Sequence, residues 1–151
     1  MDVNVIDENV KKFIGEQGWY DERKVNVSKW IEALTKEGYT CFPYAIQLLE
    51  ELGGLNIKPK GINIGNSNPA EFDFNALDAG SGEFDRMDIL EPLAGESLFP
   101  LGQIYQSFLY VGESKRIYMG CYAELFLIGS NIEDFLNNAV LNLRKPIPLR
   151  K

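Results

Sequence analysis

Apolar residues recur at helical spacing in three stretches of the N-terminal third of the chain. The first covers 6–14 and weakens at two nearby glycines. The second begins at Ser28, which is expected to cap it, and stops at Gly38. The third begins at Pro43, where a first-turn proline is tolerated, and stops at the glycine pair 53–54. This pattern predicts three helices.

The pattern then changes to short apolar runs broken by glycine, proline and asparagine, which is typical of strands joined by turns. We predict strands at 55–57, 62–64 and 71–74, surface loops at 66–69 and 80–82, and a short helix across 84–90 that Pro92 closes. A tight turn is expected at 98–102, followed by a hairpin with strands at 104–111 and 116–119 and a further strand at 125–128.

The last element is an amphipathic helix, since Ser130 and Glu133 have the spacing of a capping box. Its apolar stripe consists of Ile132, Phe135, Leu136, Ala139, Val140 and Leu143. Helices, then strands, then a helix indicate an α+β fold. We expect a mixed, mostly antiparallel sheet flanked by N-terminal helices and this C-terminal amphipathic helix.

The length of 151 residues suits a single domain spanning 1–151, and no repeat or low-complexity linker divides it. The first residues are acidic where an export signal would be basic, and no apolar run is long enough to cross a bilayer. We therefore expect a cytoplasmic protein without a membrane partner, as a monomer or a weak homodimer.

The formal net charge of −7 argues against a nucleic-acid partner, because phosphate backbones require concentrated Lys and Arg on the protein. A basic protein partner fits this charge better. An acidic balance is also typical of an ordinary solvated surface, so charge alone does not decide between the two.

The chain contains no histidine, which removes the commonest general base and the commonest zinc ligand. Cys41 and Cys121 lack the spacing of a metal clip or redox pair and are expected to be free thiols in the core. The glycines at 61–65 are not followed by the Lys-Ser/Thr pair of a phosphate loop, and the acidic residues at 73–78 lack the pattern of a calcium loop. No metal or cofactor is expected.

A run of carboxylates occupies the middle of the chain, with Arg86 as the base among them. Its members are Glu71, Asp73, Asp78, Glu83, Asp85, Asp88, Glu91 and Glu96. Three interpretations remain open: a solvated face, a patch that attracts a basic protein, or a small hydrolase with paired carboxylates. The third needs two carboxylates at a defined separation in a cleft.

Two stretches of the sequence resemble a known family. The run 18–25 with Trp30, Gly38 and the Gly-Gly-Leu at 53–55 resembles the N-terminal part of the third subfamily of the SUKH superfamily. The run 98–102, the segment 116–118 and the closing helix are similar to the C-terminal half of that subfamily. The resemblance covers about 17–145, and the region 61–97 matches least.

The resemblance implies an α+β immunity protein of a bacterial polymorphic toxin system, which binds a cognate toxin domain and blocks it without catalysis. Toxins linked to the superfamily include nucleases and nucleic-acid deaminases. A non-catalytic regulatory or scaffold protein of the same fold is the alternative. We expect structural roles for Trp30, Gly53, Gly54, Leu55, Pro100 and Gly102. We expect the carboxylates of 71–96, with Tyr105 or Tyr122, to contact the toxin.

Overall fold

The computed structural model of the protein describes residues 1–59 and 71–150. The predicted strand at 62–64, the predicted loop at 66–69 and the glycines at 61–65 lie outside these residues. The α-helices described are α1 (Glu8–Glu16), α2 (Ser28–Glu37), α3 (Pro43–Leu52), α4 (Ala76–Gly80), α5 (Met87–Ala94) and α6 (Ile132–Leu141). The strands described are β1 (Asn56–Ile57), β2 (Phe72–Asp73), β3 (Leu98–Ile104), β4 (Ser107–Gly112), β5 (Ile117–Cys121), β6 (Glu124–Gly129) and β7 (Ile147–Leu149).

The seven strands form one sheet in the order of the chain, and every neighbouring pair is antiparallel. Tight turns connect β3 through β6, so this part of the sheet is a simple meander. The α+β fold with helices flanking the sheet is therefore confirmed.

Helices α5 and α6 cover opposite faces of the sheet. A side chain on Gly120 would contact Leu90 of α5, whereas Met119 lines a cavity with Phe135 of α6. Neighbouring residues of a strand point to opposite faces, so the two helices lie on the two sides of β5. Helix α4 packs along β3, and α1 packs on α6.

The first three helices match their predicted spans, with one correction at the start of α2. Ser28 does not cap this helix; Asn26 Oδ1 instead accepts hydrogen bonds from the backbone N–H (3.0 Å) and hydroxyl (2.7 Å) of Ser28. Gly38 ends α2 with a φ of +128°. At the end of α3 the left-handed residue is Gly54, with a φ of +85°.

The expected tight turn at 98–102 is wrong, because these residues belong to the long strand β3. Pro100 pairs with Tyr110 and Gly102 pairs with Leu109, so a bulge at Leu101 interrupts the register. A proline is tolerated inside a sheet at such a bulge, where the hydrogen-bond ladder is already broken.

The expected single strand at 104–111 is also wrong. Residues Tyr105 and Gln106 form a turn between β3 and β4, and the sequence hides it because neither residue is a common turn former. The hairpin between β4 and β5 is confirmed, as are strands at 71–74 and 125–128. Helix α4 and strand β7 were not predicted.

Two predicted helix boundaries need correction. Pro92 lies inside α5, which ends before Gly95, a residue with a φ of +74°. Ser130 and Glu133 do not form a capping box. The N-cap of α6 is Asn131, whose side chain accepts from the N–H of Asp134, while Asp134 Oδ2 accepts from the N–H of Ser130 at 2.8 Å.

The stripe predicted for the last helix is buried except at Ala139, which is half-buried, and at its end. Asn142 has a φ of +54° and terminates α6, so Leu143 falls outside the helix and is 58% exposed. Cys41 and Cys121 are free thiols, as expected, but both are only half-buried. Within the described residues, no helix has the length and apolar character needed to span a membrane.

Candidate functional site

Two of the eight candidate carboxylates accept a hydrogen bond from a backbone N–H group at most seven residues further along the chain. Asp73 Oδ1 accepts from Asn75 at 3.1 Å, and Glu91 Oε2 accepts from Leu98 at 2.8 Å. The second bond ties helix α5 to the start of the central strand β3. Because these two side chains stabilise the local backbone, a main role in binding a partner is disfavoured.

Glu96 accepts more hydrogen bonds than either of these two residues. Its carboxylate accepts hydrogen bonds from the N–H and hydroxyl of Ser114, both at 2.7 Å, and from the hydroxyl of Tyr118 at 2.5 Å. A side chain on Gly112 would overlap the carboxylate, so this glycine leaves the room it needs. Glu96 therefore clamps the turn between β4 and β5 to the segment before β3.

Ionisation of Glu96 is favoured by these contacts. Burial alone would raise the pKa of Glu96, but the hydrogen bonds from Ser114 and Tyr118, together with the nearby Arg116, lower the pKa from its ordinary value of 4.5. Burial, followed by the bond to Glu96, raises the pKa of Tyr118 to about 12. At neutral pH the clamp is a carboxylate accepting from a neutral phenol.

Glu83 forms an ion pair with Arg86, whose Nε lies 2.5 Å from the Glu83 carboxylate. The guanidinium of Arg86 also lies over the ring of Phe108, 5.1 Å from its centroid, and donates to the carbonyl oxygen of Tyr122 at 3.4 Å. These contacts join the start of α5 to the turn between β5 and β6. The charges of Glu83 and Arg86 largely cancel.

The remaining candidates, Glu71, Asp78, Asp85 and Asp88, are exposed. The last three lie between the start of α4 and the first turn of α5, and we call them the acidic segment. Residues next to it are buried, including Ala79 and Met87, so the backbone is anchored while the carboxylates face solvent. The sequence identified eight candidate carboxylates, and half of them are accessible in the fold.

Tyr105 and Tyr122 are 67% and 81% exposed. Each is the first residue of a two-residue turn, and each has a φ of +54°. We call them the turn tyrosines. By contrast, Tyr110 and Tyr118, on the neighbouring strands, are each 1% exposed. The sheet therefore sorts its tyrosines into buried ones on the strands and solvent-facing ones at the turns.

An open groove of about 570 Å³ was not predicted from the sequence. Its lining comprises Lys24, Val25, Asn26, Val27, Ser28, Ile31, Glu32, Ile46 and Glu50. Three separate segments build it, namely the stretch before α2, α2 itself and α3. From their helical spacing, Ile31 and Ile46 are predicted to lie in the core. The sequence does not indicate that both stay partly exposed in one groove.

The residues expected to be structural at 53–55 lie at the end of α3, close to β2. A side chain on Gly53 would overlap the carbonyl oxygen of Leu49 and lie 3.2 Å from the ring of Trp30. The N–H of Gly54 donates to the carbonyl oxygen of Phe74, and the N–H of Phe74 donates to the carbonyl oxygen of the buried Leu55, both at 3.0 Å. These bonds join the end of α3 to β2.

Pro100 and Gly102 occupy the bulged part of β3, and both are buried. A side chain on Gly80 of α4 would lie 2.6 Å from Pro100, so α4 packs tightly on the strand at this point. On Gly102 a side chain would overlap the carbonyl of Asp73 in the adjacent strand. The fold therefore leaves no room for a side chain at Gly102 and little around Pro100, and structural roles for these two residues stay a prediction.

Arg23 is a residue whose role the sequence did not reveal. Its Nη1 donates to the carbonyl oxygen of Glu51 at 2.9 Å, and its Nη2 donates to that of Gly53 at 2.8 Å. The last carbonyls of a helix lack intrahelical donors, so this guanidinium completes the C-terminal end of α3.

Arg23→Ala is expected to lower the free energy of unfolding by about 2 kcal/mol, because it removes two charge-assisted hydrogen bonds. Urea denaturation measures the change. Lys24→Ala is the matched control, since it removes a neighbouring exposed cation and is expected to stay within about 0.5 kcal/mol of the wild type. Equal stability of the two variants would contradict the capping role of Arg23.

The hydrolase interpretation loses its structural support. None of the four main cavities in the described part of the chain is lined by any of the eight carboxylates. Among residues 1–59 and 71–150, no group of three or more His, Cys, Asp or Glu side chains is placed to hold a metal ion.

Comparison with known protein families identifies a family for this chain. The family model described as SUKH-3 immunity protein matches residues 6–142, which include all six helices and the strands from β1 to β6. No curated protein and no solved structure matches the chain. The family match extends over most of the chain and agrees with the resemblance carried by the glycine and aromatic positions at 18–55 and 98–130. The chain therefore belongs to the SUKH-3 immunity protein family.

Proposed function

We propose that this protein binds the toxin domain of a bacterial polymorphic toxin system in the cytoplasm and neutralises it by occluding its active site. The observation that carries the proposal is membership of the SUKH-3 immunity protein family over residues 6–142. The toxin is of the nuclease or nucleic-acid deaminase type, and the immunity protein acts as a binding module without cofactor, nucleic-acid or membrane contacts of its own.

The charge of the protein supports this class of partner. A nuclease or nucleic-acid deaminase holds a phosphate backbone and needs a basic surface to do so. An acidic protein attracts that surface at long range and competes with the nucleic acid for it. The net charge of −7 and the exposed carboxylates of the acidic segment supply this attraction.

The direct test is co-expression with the toxin domain encoded immediately upstream of this gene. Cells that carry the toxin domain alone are expected to stop growing, and cells that also carry this protein are expected to grow. The purified proteins should form a stable complex in which nuclease or deaminase activity is lost. Continued killing in the presence of every neighbouring toxin domain would overturn the proposal.

The double charge reversal Asp85→Lys/Asp88→Lys is expected to slow association with the toxin by about tenfold to a hundredfold at low salt. The salt dependence of the association rate should weaken in parallel, because fewer opposite charges then face each other. Stopped-flow mixing at several salt concentrations measures both quantities. Glu91 is left unchanged because it accepts the hydrogen bond from Leu98.

The matched control for this variant is Glu16→Lys/Glu113→Lys, which changes the net charge by the same amount at two exposed positions outside the acidic segment. An equal effect of the two double variants would show that net charge alone steers the encounter. It would remove the acidic segment from the interface while leaving the immunity role intact.

A further inference from the structure

The turn tyrosines lie at the same end of the sheet. Ile104 pairs with Ser107 and Cys121 pairs with Glu124, and these two pairs close the turns that hold Tyr105 and Tyr122. Strands β4 and β5 are neighbours, with Phe108 opposite Gly120, so the two turns lie side by side. Their separation is two strand spacings, or about 10 Å.

The backbone at both positions favours glycine. Tyr105 and Tyr122 have positive φ, while the second residue of each turn does not. Positive φ is the backbone region that favours glycine, because a Cβ is strained there. A bulky residue at positive φ is uncommon, and two such residues occupy equivalent places in neighbouring turns.

Packing does not explain the two tyrosines. Most of each ring is in solvent, with 67% of Tyr105 and 81% of Tyr122 exposed, so little apolar surface is buried in return for the strain. Backbone strain retained without a packing gain is characteristic of residues kept for function. Exposed tyrosine is also the residue type that most often carries binding energy at protein interfaces.

The charged residues near Tyr122 indicate the chemistry of the partner surface. Arg86 holds the backbone of Tyr122 and is itself neutralised by Glu83. Asp85 and Asp88, next to Arg86 in the chain, remain exposed as surplus negative charge. An arginine-rich surface would satisfy both features, because guanidinium groups pair with carboxylates and stack on tyrosine rings.

We propose that Tyr105 and Tyr122 are the two main anchors of the toxin interface and that they dock on an arginine-rich surface of the toxin domain, with Asp85 and Asp88 at the rim. This proposal rests on the proposed function, since it names the surface that performs it. The acidic segment then supplies steering, and the two turns supply the contact energy.

The test uses Tyr105→Gly and Tyr122→Gly, singly and together, with the purified toxin domain encoded immediately upstream as the probe. Glycine relieves the backbone strain, so the melting temperature is expected to stay constant or rise. Toxin affinity is expected to fall on the order of 30-fold for each single variant. Tyr20→Ala is the control, because Tyr20 is 60% exposed at a position without positive φ, and its affinity should match the wild type.

Calorimetry or surface plasmon resonance gives the affinities, and hydrogen exchange with and without toxin should show new protection at 103–108 and 120–125. If the wild type binds the toxin and the double glycine variant binds equally well, the turn tyrosines are not the anchors and the proposed function stands. If the wild type binds no neighbouring toxin domain, the proposed function fails and this inference fails with it.

Discussion

Gly102→Ala is expected to lower the free energy of unfolding by about 4 kcal/mol or more, enough to leave much of the protein unfolded at physiological temperature. The added Cβ would overlap the carbonyl oxygen of Asp73 and lie 2.7 Å from its carbonyl carbon and 2.9 Å from the Cα of Phe74. All three are backbone atoms, so no side-chain rotation relieves the overlap. Strands β2 and β3 must then separate, which also detaches the edge of the sheet formed by β1 and β2.

Thermal or urea denaturation measures the loss, and Gly15→Ala provides the control. Gly15 lies in helix α1 with ordinary φ, and a side chain there would meet nothing within 4 Å. Alanine at this position is expected to stabilise the protein by about 0.5–1 kcal/mol, because it removes the entropic penalty of a helical glycine. A Gly102→Ala variant within 1 kcal/mol of the wild type would show that β2 is not held where the structure places it.

Helix prediction from the sequence succeeded where an apolar stripe faces one core. Val10, Phe13 and Ile14 of α1, and Phe135, Leu136 and Val140 of α6, are buried as their spacing indicates. Such a stripe is a local property of the chain, so neighbouring sequence suffices to recognise it. The caps were less predictable, because the N-cap residue of α2 is Val27, which makes no side-chain cap hydrogen bond, and Asn131, not Ser130, caps α6.

The predicted strand boundaries were wrong where residues typical of turns lie in a strand and where residues typical of strands form a turn. Pro100 and Gly102 have the composition of a turn, but a bulge absorbs them into β3. Tyr105 and Gln106 have the composition of a strand, yet they form a turn. In both cases the long-range pairing with β2 and β4 outweighs the local preference, and pairing across the sheet is not readable from a window of neighbouring residues.

The candidate site was predicted by residue type but not by role. Eight carboxylates share the same short region of the sequence, and nothing local separates Asp85, which is exposed, from Glu96, which is bonded to Ser114 eighteen positions away. Tertiary contacts decide which carboxylates remain for a partner. The sequence identified Tyr105 and Tyr122 as candidate contacts but did not predict that they occupy turns, because the position of a turn depends on how the strands pair.

Glu96→Gln is expected to lower the free energy of unfolding by about 2 kcal/mol at pH 7. The carboxylate accepts from the Ser114 N–H, the Ser114 hydroxyl and the Tyr118 hydroxyl, and a neutral amide loses the charge that strengthens these bonds. Its NH2 group also places a donor where the site presents donors. Glu113→Gln is the control, since Glu113 is exposed in the same turn and its neutralisation should change stability by less than about 0.5 kcal/mol.

The pH dependence of this difference identifies its origin. The folded-state pKa of Glu96 lies below its ordinary value, so the stability it contributes is fully present above the unfolded pKa and is lost as the pH falls through the folded pKa. The gap between wild type and Glu96→Gln should therefore be constant near neutral pH and close in acid. Asp134 also has a lowered pKa through Arg144 and Ser130, against the opposing effect of burial, and it acts equally in both proteins. Urea midpoints from pH 7 down to pH 3 measure the gap, and a gap that does not narrow in acid would mean that Glu96 holds the turn by packing, not as a charged acceptor.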